Sequence, residues 1–92
     1  MVVVFTAQIG LSFNDLSGTL PTELGNCTSI TGSINLDINS LTGPIPSELG
    51  RLTNMKELLL VDNQLTGTVP SEVCSLPTLI FFEGNLGLNG CR

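Results

Sequence analysis

The chain has no histidine and only three Lys and Arg residues among its 92. Without histidine the commonest general base and metal ligand is missing, and neither a Ser-His nor a Cys-His nucleophile pair can be assembled. Eight Asp and Glu bring the net charge to −5. Clustered cations that would neutralise phosphate are therefore lacking, which sets nucleic acid aside as a partner. The acidic residues are scattered and form no run. No Gly-rich phosphate loop leads into a lysine, and no kinase signature is present. Long hydrophobic runs are missing too. The apolar opening Met1-Val-Val-Val-Phe5 is far too short to span a bilayer, and it has neither the basic flank nor the length of a secretory leader. It reads as strand-forming sequence from a repeat cut short upstream, so the chain reads as a piece of a longer protein without an N-terminal cap. No enzyme, cofactor or metal site is expected.

What the chain has is repetition. The block Asn14-Asp-Leu-Ser-Gly-Thr-Leu-Pro-Thr-Glu-Leu-Gly25 returns as Asn39-Ser-Leu-Thr-Gly-Pro-Ile-Pro-Ser-Glu-Leu-Gly50 and as Asn63-Gln-Leu-Thr-Gly-Thr-Val-Pro-Ser-Glu-Val-Cys74. The spacing is 25 residues and then 24. A fixed period of this size means a solenoid, in which each unit buries its apolar side only against its neighbours.

The third unit is the clearest. Leu58 and Leu60 lie two apart, so in an extended segment both face inward while Leu59 and Val61 face out. Asn63 ends the strand, where its amide can bond backbone groups left unpaired at the bend. Stacked at equivalent places, Asn14, Asn39 and Asn63 form a ladder. Leu65 points inward, and Gly67 permits a bend that a β-carbon would resist. Val69-Pro70 reads as a second short extended segment, and Ser71-Glu72-Val73 as one helical turn. The second unit fills the same slots with Cys27, Ile30, Ile34, Leu36, Leu41, Ile45 and Leu49, and carries its extra residue within Thr31-Gly32-Ser33. The first supplies Ile9, Leu11, Leu16, Leu20 and Leu24. In a fourth, failing unit, Leu76, Leu79 and Phe82 take the slots of Leu52, Met55 and Leu58. Gly84 and Gly87 fall where Leu60 and Asn63 would be. The repeat boundaries are set at residues 1–26, 27–51, 52–75 and 76–92, within one domain. Glu23, Glu48 and Glu72 form a solvated column rather than an acid–base pair.

Cys27 occupies an apolar slot and reads as a small buried hydrophobe. Cys74 and Cys91 either form a disulfide that staples the last coil or remain thiols, since spacing alone does not settle pairing. Asn26-Cys27-Thr28 fits the acceptor pattern for N-glycosylation.

The consensus Leu-x-x-Leu-x-x-Leu-x-Leu-x-x-Asn-x-Leu-(Ser/Thr)-Gly-x-(Ile/Leu/Val)-Pro-x-x-Leu-Gly, carried from Ile9 to Leu79, resembles the plant-type leucine-rich repeat. That repeat is found in receptor-like kinase and receptor-like protein ectodomains, in polygalacturonase-inhibiting proteins and in diatom proteins. The resemblance implies an α/β solenoid. It would be a right-handed superhelix with short parallel strands on its concave face, about three complete repeats and an irregular C-terminal coil. It implies a protein or peptide partner, met on that concave face by Ser12 and Phe13, by Asn35, Asp37 and Ile38, and by Glu57, Leu59, Val61 and Asp62. Gly10, Gln8 and Ser33 lie in the same rows. Phe13, Ile38, Leu59 and Val61 would then be exposed apolar groups beside Asp37 and Asp62, a mixture that suits a protein surface. The resemblance points to a non-enzymatic, receptor-like module of the cell exterior. Its alternatives are an inhibitor of a secreted hydrolase, a purely structural segment and, remotely, an ice-binding surface.

Overall fold

In the computed structural model, residues 7–91 are described. The Met1–Phe5 stretch lies outside them. The chain runs through short strands that return to the same two places on every coil. Strands β1 (Ala7–Gly10), β3 (Ile30–Asn35), β5 (Glu57–Leu59) and β7 (Leu79–Phe81) form one four-stranded parallel sheet in that order. Strands β2 (Ser17–Thr19), β4 (Ser40–Gly43), β6 (Gln64–Thr68) and β8 (Gly87–Asn89) form a second, also parallel. Each coil closes on a short helical turn: 3₁₀ at Thr22–Asn26 and Ser47–Arg51, α at Ser71–Cys74. A proline precedes each turn, where its missing N–H costs nothing.

The core runs along the stack between the sheets and the helical turns. Ile34, Leu49, Leu52, Leu58, Leu60, Leu65 and Val73 are wholly buried in it. The ladder asparagines tie each coil to the one before. The Asn63 Oδ1 accepts from the Leu41 N–H at 3.0 Å. Its Nδ2 donates to the carbonyls of Leu36 (2.9 Å), Leu60 (3.3 Å) and Val61 (3.4 Å). Asn39 repeats the pattern, accepting from the N–H groups of Asn14 and Leu16 and donating to Leu11, Leu36 and Asp37. Among the described residues no buried side-chain nitrogen or oxygen lacks a partner.

The extra residue of the second coil is absorbed in β3. Ala7 pairs with Ile30 but Ile9 pairs with Ile34, so Thr31-Gly32-Ser33 stand opposite Gln8 alone, a two-residue shift of register in a bulge that includes the inserted residue.

Four expectations are corrected. The second extended segment is not Val69-Pro70; it lies one step earlier, on Gln64–Thr68, where backbone N–H groups are available and proline is absent. The fourth coil is two residues shorter than expected. Leu58 pairs with Ile80 and Leu59 with Phe81, so Phe82 follows in the place of Leu60, and the ladder position belongs to Asn85, not Gly87. Asn85 is buried, accepts from the Leu65 N–H at 3.0 Å and donates to Leu60 and Phe82. Cys27 is exposed rather than buried. Its counterpart Leu52 is covered by the coil before it, whereas Cys27 faces the uncovered side of the first described coil. Leu11 is 42% exposed for the same reason, although Leu36 and Leu60, its equivalents, are buried.

Cys74, at the end of the α turn, is disulfide-bonded to Cys91 across a separation of 17 residues. The bridge closes the last coil onto the third.

Candidate functional site

Side chains alternate along each strand of the first sheet, so every coil presents a row of three outward residues. Register stacks the rows into columns. Gly10, Asn35, Leu59 and Phe81 form the central column. Ser33, Glu57 and Leu79 form the column on its N-terminal side, and Gln8 lies in the corresponding place on β1. On the other side are Ser12, Asp37, Val61 and Glu83. There the Phe13, Ile38 and Asp62 N–H groups donate to the carbonyls of Asp37, Val61 and Glu83 at 3.1, 2.7 and 2.8 Å.

Phe13, Ile38, Asp62 and Gly84 occupy the rim, each one residue before a ladder asparagine. All four have positive φ: 60°, 56°, 56° and 84°. The chain turns sharply there, which throws the rim side chains outward. Phe13 is 74% exposed and Ile38 40%. Left-handed backbone is costly for residues with a bulky or β-branched side chain. The tight asparagine bend imposes it here.

The surface is not uniform. Leu59 and Val61, expected to be exposed, are half-buried, because in-register neighbours flank them on both sides. Asn35 and Asp37 are partly committed to structure. The Asn35 Oδ1 accepts from the Asp37 N–H at 3.1 Å, and the Asp37 Oδ1 accepts from the Val61 N–H at 2.7 Å. Glu57 and Ser12 are half-buried, and Asp62 is exposed. The structure thus brings the nine residues named from the sequence onto one sheet face and its rim.

It adds a fourth row. Leu79 is 62% exposed, Phe81 36%, and Glu83 is exposed beyond them. Sequence reasoning missed these residues because it set the fourth coil two places out of register. The available signal was Asn85, three residues after Phe82 as Asn63 is three after Leu60.

Elsewhere the chain is polar and regular. On each helical turn a hydroxyl donates to the carboxylate of the next residue: Thr22 to Glu23 at 2.7 Å, Ser47 to Glu48 at 3.5 Å and Ser71 to Glu72 at 3.1 Å. At Glu23 this bond, aided by the residue's own backbone N–H, holds the carboxyl below its ordinary value. Asn26 ends the first turn, and both it and Thr28 are exposed. Among the described residues no group of three or more His, Cys, Asp or Glu side chains is placed to hold a metal. Nor is any helix among them long and apolar enough to cross a membrane.

The family model described as Leucine Rich Repeat matches residues 8–27 and 54–76. No curated protein matches the chain. The first matched stretch runs from β1 through the first helical turn, and the second from the approach to β5 through the α turn. Each therefore follows one coil of the observed stack through both of its strands and its helical turn. With the block repeated three times in the sequence, the two parallel ladders and the asparagine spine, these matches give the chain the fold of a short leucine-rich repeat solenoid.

Proposed function

We propose that this chain is a non-enzymatic binding module that takes a protein or peptide on the outward face of its first sheet, and that it is a piece of a plant-type, receptor-like ectodomain. The observation that carries the reading is the in-register stack of outward side chains, apolar in its later rows, on a sheet whose backbone groups are already paired. A surface held this firmly loses little conformational freedom on binding, so more of the contact energy is retained as affinity. Leucine-rich repeats in general support a protein-binding role. The Cys74–Cys91 bridge supports a place outside the cytosol, since disulfides persist in oxidising compartments. On the same reading Asn26 is a glycan acceptor.

The test is selection of binders from a displayed random-peptide library against the intact chain, followed by the variants Leu59→Lys and Phe81→Lys. Each substitution should weaken the selected peptides by about tenfold or more, as expected for residues at the centre of a contact. Binders that tolerate both substitutions would place the interaction elsewhere and end the proposal.

A further inference from the structure

The four rows of the face differ in chemistry, and the difference points to a class of partner. This step rests on the proposed face and asks what lies on it. Rows one and two are small or polar, and two of their acceptors, on Asn35 and Asp37, already hold backbone N–H groups. Rows three and four carry Leu59, Val61, Leu79 and Phe81. Carboxylates stand at the corners of this apolar floor. Glu57 shares a row with Leu59 and pairs in register with Leu79; Glu83 lies beside Val61 on the opposite side. Asp62 is exposed on the rim next to it. Lys56 directly precedes Glu57, just before the strand begins, and is exposed. Of the other two basic residues, Arg51 ends a helical turn and Arg92 is the last residue of the chain.

We infer that the partner segment is extended and cationic at both ends of an apolar centre, and that it lies along rows three and four. From the Glu57 column to the Glu83 column is four residues of strand, about 13 Å at roughly 3.3 Å per residue. An extended peptide has the same rise, and its alternate side chains point one way. Lys or Arg at positions i and i+4 then reach the two carboxylates, while an apolar residue at i+2 lands on Leu59 and Phe81. The charge complement also selects against acidic partners, because like charges placed together at a desolvated surface are repulsive.

Three synthetic seven-residue peptides with the same central leucine and serine spacers decide the matter, with Lys, Gln or Glu at the two flanking positions. Each is titrated into the isotopically labelled intact chain, and shifts of the Leu59 and Phe81 amide signals are followed. The Lys peptide should bind about tenfold more tightly than the Gln peptide, and the Glu peptide should bind more weakly than either. The Lys advantage should shrink between about 20 mM and about 500 mM salt, where screening lengths fall to a few ångströms. The double variant Glu57→Gln, Glu83→Gln should abolish the preference while still binding the Gln peptide. Equal binding of all three peptides, weakened alike by Leu59→Ser, would overturn the cationic inference and leave the face standing. No binding by any peptide at about millimolar concentration would also overturn it, and the library selection would then judge the face separately.

Discussion

One amide at Asn63 serves the backbone of two coils. Its oxygen takes the Leu41 N–H, and its two N–H bonds are shared among the carbonyls of Leu36, Leu60 and Val61. Aspartate would lack the donor, and leucine, close in shape, would lack both halves. Asn63 is buried, so removing its amide strands backbone groups where water does not reach them. Asn14 holds the same sequence position, but it is exposed and its amide donates to Ser12. Asn63→Ala should therefore cost about 1–3 kcal/mol in urea unfolding, whereas Asn14→Ala should stay within about 0.5 kcal/mol. Equal costs would contradict the ladder as the source of the difference. The rim shows a related tension between residue and backbone. Ile38 sits at φ 56°, a region β-branched residues avoid, because the bend before Asn39 requires it.

Between elements, closeness of approach does what single hydrogen bonds do within them. The helical turns stack so tightly that a β-carbon on Gly50 would stand 2.7 Å from the Glu72 Cβ and 2.9 Å from its carbonyl oxygen. Gly25 meets the Glu48 carbonyl more closely still. Both obstacles include backbone, which cannot swing aside. Gly50→Ala should push the second and third turns apart and destabilise the chain by about 1–3 kcal/mol. Gly10→Ala, with nothing within 4 Å of the added carbon, is the control, and calorimetry of the two variants checks the pair. Elements also set what could be read beforehand. The first sheet was legible because Leu58 and Leu60 flank an outward residue and Asn63 marks the end of the run. The second sheet was not, because its strands are three to five residues long, with one buried leucine each in β4, β6 and β8 and no buried residue in β2. Too few residues alternate there for a period to emerge. The fourth coil misled for a different reason. Gly87 lies 24 residues beyond Asn63, where the period places it, but the coil had shortened and Asn85 had taken the position. That slip hid Leu79, Phe81 and Glu83, and with them the more apolar half of the candidate face.

Over the whole molecule, stability is distributed by position in the stack. A solenoid coil is stabilised by its own packing and by each neighbour, with nothing contributed from further away. Leu11, Leu36 and Leu60 are the same residue in the same slot, yet their exposures are 42%, 5% and 0%. Around Leu11 the first coil leaves an apolar recess of about 260 Å³, lined also by Ile9, Leu16 and Leu24. At the opposite end the Cys74–Cys91 bridge ties down the last coil, a loop closure worth on the order of 3 kcal/mol. Leu36→Ala and Leu60→Ala should each cost about 2–5 kcal/mol, because the surrounding coils cannot collapse onto the cavity. Leu11→Ala should cost about 1 kcal/mol or less, since much of that side chain is already in water. Hydrogen exchange should show the same gradient, with amides of β1 opening at the lowest free energy and those of β5 at the highest. The two measurements together separate a stack of coils from a single core with one interior. In a single core all three leucines would be expensive and all strands would open together. A Leu11→Ala penalty equal to that of Leu60→Ala, with uniform exchange across β1, β3 and β5, would show that the coils are not the units of stability.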